Sequence, residues 1–201
     1  MLYNEKNLAV AAFASKSETR QELAGVFFTA DKTIATDSFR LVEVSTVKDV
    51  DVESFPKVQG ASAMRGCQPF IADAKALKGV KIPKAKRGTV ASLPILQYAA
   101  IKHLDAQGVA FMVTDLETAD IKSVRRIDAK YPEYEQVFPA GEPIAEVSVN
   151  GQMLAEVLAF LATFDGIKSV KMQFHGAGNA IVLTAGNAQQ KARAMVMPMR
   201  G

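Results

Sequence analysis

The sequence is poor in the residues from which most enzyme sites are built. It has one cysteine, two histidines and no tryptophan among 201 residues. A single thiol cannot close a disulfide within the chain, and a cysteine-rich zinc site is excluded. Cys67 sits in Arg-Gly-Cys-Gln-Pro, and His103 and His175 lie far apart, so nothing local supports a cysteine nucleophile. The sequence contains no HExxH, GxSxG, GxGxxG or phosphate-loop motif. No apolar run approaches the ~18 residues of a membrane-spanning helix. The start, Met1-Leu-Tyr-Asn-Glu-Lys, lacks the basic-then-apolar order of an export signal. These absences predict a cytoplasmic protein that needs no metal, cofactor or membrane. It is either non-enzymatic or an enzyme working through carboxylates such as Asp37, Asp115 and Glu117.

Charge of one sign is also scarce. Lys and Arg number 24 against 21 Asp and Glu, a net charge of +3. That permits nucleic-acid binding without demanding it. Position says more than the sum. Lys75, Lys78, Lys81, Lys84, Lys86 and Arg87 are interleaved with Ala, Leu, Val and Ile. Lys122, Arg125 and Arg126 form a second group, and Lys168 with Lys171 a third. Either these are solvated faces or they track phosphates.

The apolar pattern repeats. In residues 1–46 an Ala-rich helical stretch, Asn7–Ser15, precedes strand-like runs at Gly25–Thr29, Thr33–Thr36 and Phe39–Val44. Residues 47–68 read as a connector. In 69–128 a short strand, Pro69–Ala72, leads into a helix capped by Asp73 and ended near Gly79. Strand-like runs follow at Leu93–Leu104, Val109–Thr114 and Asp120–Ile127. In 143–200 the alternation of Ala145–Val149 predicts a strand, and Asn150 caps a helix over Gly151–Phe164. Met153, Leu154, Val157, Leu158 and Leu161 form its apolar stripe. Strands are predicted at Ser169–Phe174, Ala180–Thr184 and Lys191–Met197. The unit is strand–helix–three strands, repeated roughly every 60–70 residues. Helices on one face of antiparallel sheets make an α+β protein.

Particular residues now resemble a known family. Ile34-Ala-Thr-Asp-Ser-Phe-Arg-Leu-Val resembles the ATDGHRL motif of the bacterial sliding clamp, the beta subunit of DNA polymerase III. Tyr131-Pro-Glu-Tyr-Glu-Gln-Val-Phe-Pro is similar to its FPDY segment, and Met195-Val-Met-Pro-Met-Arg to its C-terminal VVMPMRL. Leu23-Ala-Gly-Val-Phe-Phe, Ser92-Leu-Pro-Ile-Leu and Thr114-Asp-Leu-Glu also look like family segments. The resemblance implies a DNA-clamp fold, with residues 1–139 as one clamp-like domain (half-units about 1–46 and 69–128) and 143–201 as half of a second.

It also implies a replication role. Such clamps encircle duplex DNA without reading its sequence, catalyse nothing, and tether a polymerase as processivity factors. The partners implied are duplex DNA, short peptides of polymerase and clamp loader, and further copies of the chain. Carried over residue by residue, the peptide pocket comprises Leu23, Thr36, Ser38, Phe39, Arg40 and Leu41, then Pro132 and Val137, then Met195, Val196, Met197, Pro198 and Met199. Methionines suit a surface that accepts varied ligands. Lys16, Arg20, Lys75, Lys78, Lys81, Lys84, Lys86 and Arg87 are the candidates for facing DNA.

The chain departs from the family pattern in three ways. Ser38-Phe39 replaces Gly-His. Glu135 and Gln136 stand where basic residues are usual. Only three half-units are legible, about half the family's number, which leaves a sheet edge open for association. A clamp-fold peptide adaptor that forms no ring is the alternative reading.

Overall fold

The computed structural model describes the chain except residues 18, 48–49, 51–52, 54, 57–67, 84–93, 104–107, 165–167, 177 and 200–201. Two compact units emerge, Met1–Tyr134 and Glu135–Gly201.

Unit one is an antiparallel eight-stranded sheet. Its strands are β1 (Leu2–Asn4), β2 (Gly25–Phe28), β3 (Lys32–Thr36), β4 (Leu41–Ser45), β5 (Phe70–Asp73), β6 (Tyr98–His103), β7 (Gly108–Thr114) and β8 (Ala119–Ile127). Their order across the sheet is β1-β6-β7-β8-β5-β2-β3-β4. Each half-unit therefore contributes a three-strand meander, and the lead strand of each half joins the meander of the other. β1 pairs with β6, and β5 with β2. Gly25 permits the second junction. A Cβ there would come within 2.3 Å of the Ile71 side chain and 2.8 Å of the Ala72 carbonyl.

The helical segments of unit one are short. α1 spans Glu5–Ala9 and continues as a 3₁₀ turn, Val10–Phe13, whereas the sequence predicted one helix over Asn7–Ser15. The start is fixed by Asn4, whose side chain accepts from the Lys6 and Asn7 amides. Asn7 closes a reciprocal box by accepting from the Asn4 amide, and its own amide group reaches Thr33 Oγ1 and the Val44 and Ser45 carbonyls. A fully buried asparagine is thus satisfied on every side. α2 spans Ala74–Leu77 with Asp73 as its cap.

Strand alternation gives the sheet two apolar faces. Val26, Phe28, Phe70, Ala72, Phe111 and Val124 face the helical segments and share a core with Tyr3, Leu8, Val10, Ala11 and Leu77. Phe28 is its hub, with ring centroids 4.9 Å from Tyr3, 5.0 Å from Phe70 and 5.5 Å from Phe111. The opposite parity sends Ile34, Ile71 and Ile127 to a second cluster, closed by Tyr131 and Tyr134 with Phe27 and Leu41 against it. β7 is buried along six consecutive residues, as its continuous apolar run predicts.

Pro94 changes one expected strand. Leu93–Leu104 reads as a single run, but Pro94–Gln97 is a 3₁₀ turn and the strand begins at Tyr98. Proline has a fixed φ and no amide to give a ladder.

Unit two contains α3 (Gly151–Leu161) over a three-stranded sheet of β9 (Lys171–Gln173), β10 (Ile181–Gly186) and β11 (Lys191–Val196), ordered β11-β10-β9. Asn150 caps α3 through the Gln152 and Met153 amides. Leu154, Val157, Leu158 and Leu161 pack on Ile181, Leu183 and Val196. Met153, expected in that stripe, is instead 59% exposed. The strand predicted at Ala145–Val149 forms only one bridge, Val149 to Pro198, beside a bond from the Met199 amide to the Ser148 carbonyl. Its other edge has no ladder to join among the described residues.

Candidate functional site

One turn is built twice in unit one. In the β3–β4 hairpin, Thr36 Oγ1 accepts from the Ser38 amide, and Asp37 Oδ1 from the Phe39 and Arg40 amides. In the β7–β8 hairpin, Thr114 Oγ1 accepts from Leu116, and Asp115 Oδ1 from Glu117 and Thr118. Ser38 and Leu116 both adopt left-handed backbone, at φ 78° and 80°. That conformation suits glycine, yet serine and leucine hold it here. Asn187 accepts from the Gln189 and Gln190 amides in the β10–β11 turn of unit two, a third variant. Recurrence of the Thr-Asp pair is therefore structural. Bonds from Thr118 hold the Asp115 carboxyl below its ordinary value, as a turn-forming carboxylate requires.

The first hairpin carries the peptide-site candidates of unit one. Phe39 projects from its tip at 94% exposure, and Ser38 and Arg40 are also exposed. Asp37 Oδ2 receives Arg40 Nε at 3.0 Å and Nη2 at 2.6 Å. The Arg40 fork holds the Asp37 carboxyl down at about 2. The guanidinium also lies 5.4 Å over the Phe13 ring. Arg40 is thus oriented by its own chain while most of its surface stays open. Leu41 is half-buried beside the second core cluster, and Pro132 is exposed. Leu23 and Thr36 are buried, so they support this surface and do not line it.

The candidates in unit two show a clear alternation. Val196 faces the core, while Met195, Met197 and Met199 are each more than half exposed. Pro198 bridges Val149 and fixes the end of this strip. The methionines do not plug the core. Val137 is likewise exposed.

The candidates for facing DNA separate into groups. Lys16, Lys75 and Lys78 line one cleft of about 600 Å³ with Asp73, Arg125, Ser15 and Ser17. Lys78 and Lys81 line a neighbouring cleft beside α1. The Lys122 stem lies over Gly79, bringing a further cation to the end of α2. Arg125, on strand β8, joins the cleft through a tertiary fold that spacing alone does not show. It sits 3.6 Å from Asp73 Oδ2. Arg20 goes elsewhere, donating to Ser38 Oγ at 2.9 Å. Lys84, Lys86 and Arg87 lie outside the described residues. Among those described, no three His, Cys, Asp or Glu side chains gather as a metal site, and no helix is long and apolar enough to cross a membrane.

No family model and no curated protein matches the sequence. Solved structures do match. The beta subunit from DNA polymerase of Streptococcus pyogenes aligns with a TM-score of 0.68 at 15% identity, over 100% of this chain and 50% of that one. The Pseudomonas aeruginosa DNA polymerase sliding clamp gives 0.64 at 15%, over 98% and 50%. The Caulobacter crescentus beta sliding clamp gives 0.63 at 19%, over 98% and 50%. The chain has the sliding-clamp fold. It spans about half the length of the clamps it matches. In sliding-clamp terms, unit one holds two half-units joined through exchanged lead strands, and unit two repeats the half-unit pattern once.

Proposed function

We propose that the chain is a cytoplasmic, non-catalytic processivity factor of the sliding-clamp type, which encircles duplex DNA as a homo-oligomer and tethers polymerase and clamp-loader peptides. The observation that carries this reading is the clamp fold with Lys16, Lys75, Lys78 and Arg125 around one cleft beside its helical segments. Cations so placed attract phosphates without reading bases. A ring need not grip DNA tightly, so a net charge of +3 is sufficient. Two apolar strips support the peptide role: the Ser38–Leu41 turn, with Pro132 in the same unit, and the Met195–Met199 strip, with Val137 in the same unit.

The test compares retention on circular and linear duplex. A processivity clamp stays on the circle and slides off the open end. Lys75→Glu with Lys78→Glu should weaken DNA association and flatten its log–log salt dependence by roughly 1.8, at about 0.9 for each phosphate no longer neutralised. Phe39→Ala and Met197→Ala should each weaken binding of a polymerase-derived peptide without altering DNA retention. The adaptor reading has its own support, because the exposed Gln152, Ala155, Glu156 and Ala159 on α3 offer no cation. Peptide binding without retention on circular DNA would establish that reading instead.

A further inference from the structure

We infer that unit two is a self-complementary half of a clamp domain, and that two copies of the chain pair through it to build a second eight-stranded sheet. Unit one supplies the template. Counting back from each helix cap, its two exchanged lead strands pair in one register. Asn4 faces Tyr98, Tyr3 faces Ala99 and Leu2 faces Ala100. Likewise Asp73 faces Gly25, Ala72 faces Val26 and Ile71 faces Phe27.

Unit two follows the same plan over its lead segment, helix and three-strand meander. Asn150 is the cap. Val149 bridges Pro198 at the place where Ala72 meets Arg126, since Ala119 and Lys191 open the matching strands. What differs is the outer edge. β5 goes on to pair with β2, but among the described residues segment 145–149 has no strand on its other edge, and β9 pairs with β10 alone.

Transferring the register of unit one gives the pairing. Asn150 would face the second copy's Ser169, with Val149 on its Val170, Ser148 on its Lys171, Val147 on its Met172 and Glu146 on its Gln173. The parity is right. Val147, Val149 and Val170 already belong to the core side of unit two, and Met172 is 37% exposed there. The charges are complementary too, because Glu146 of one copy lies diagonally beside Lys171 of the other on the solvent face. A two-fold axis makes every such pair twice.

The helices agree. In unit one, Val10, Ala11 and Ala14 of one half share a core with Leu77 of the other. On α3 and its continuation, Met153, Val157, Phe160 and Phe164 fall at helical spacing. Met153 and Phe160 are 59% and 61% exposed, and the two phenylalanine rings are 5.2 Å apart. The two-fold that pairs the strands would bring these stripes together. The inference concerns assembly and stands whether or not the chain binds DNA.

The experiment uses the full chain with Cys67→Ser and a cysteine pair, Ser148→Cys with Lys171→Cys. Within one chain these positions are separated by β11 and β10, about 14 Å at the usual strand spacing, which is too far for a disulfide. Between copies they are directly opposed, so mild oxidation should give a covalent dimer. The offset pair Ala145→Cys with Lys171→Cys should not. Light scattering at micromolar concentration should show an even number of chains, and Met172→Glu should halve it while the circular dichroism spectrum stays unchanged. Monomers at all concentrations, or crosslinking that ignores register, would overturn the inference.

Discussion

Replacing Tyr131 with phenylalanine isolates one atom whose environment the structure defines. The Tyr131 ring is 6% exposed, stacks on Phe27 at 4.8 Å and meets Tyr134 edge-on at 6.2 Å. Its hydroxyl is buried without a hydrogen-bond partner among the described residues. Burial first, and then the neighbouring Tyr134, push its pKa up, so the group stays neutral and contributes no charge. An unsatisfied buried hydroxyl costs about 1–3 kcal/mol. Removing it leaves a void of roughly 10 Å³, worth only about 0.2 kcal/mol at the cavity coefficient. Tyr131→Phe should therefore stabilise unit one by about 1–2 kcal/mol, raising its melting temperature by roughly 3–8 °C. Urea unfolding followed by far-ultraviolet circular dichroism measures both the midpoint and the slope. A lower midpoint at unchanged slope would show that the hydroxyl is satisfied in solution, and the reasoning would fail.

The main core and the first hairpin give two further predictions. Phe28→Ala empties the hub of the main core and should cost about 3–5 kcal/mol, read as a fall in the unfolding midpoint; a cost below about 1 kcal/mol would mean the core collapses around the gap. The Asp37 carboxyl has a folded pKa lowered from 3.8 to about 2, so its contribution to the hairpin is complete above the ordinary value and disappears as pH falls through about 2. Carboxyl chemical shifts should titrate Asp37 at about 2, and Arg40→Ala should move that midpoint up; an ordinary midpoint in the parent chain would refute the Arg40 ion pair.

Much of the fold was legible because its signals are local. Asp73 and Asn150 cap helices by the short reach of an Asx side chain, and the Thr-Asp turns are closed by bonds spanning no more than a few residues. The apolar alternation of Lys191–Val196 names its inward face without a partner in view. Other features escaped because they depend on distant chain. Asn7 looks like an ordinary polar helix residue until β3 and β4 close over it. Ala145–Val149 has the pattern of a strand, yet a strand needs neighbours on its edges, and here one edge has none among the described residues. Leu23 and Thr36 lie in segments that resemble the clamp motifs but sit below the surface. Arg20 is drawn to Ser38, while Arg125, part of the second basic group in the sequence, reaches a cleft assembled from four separate segments.

The sequence by itself determined the scarcity of catalytic groups, the strand–helix–three-strand repeat, the turn chemistry and the clamp-like motifs near both ends of the chain, because each is written within a few neighbouring residues. Only the tertiary structure decided which lysines share a cleft, that the methionines stand outside the core, and that each lead strand of unit one pairs with the meander of the other half-unit. Those depend on pairing across long loops, where register is set by what the partner strand offers and not by the strand's own residues.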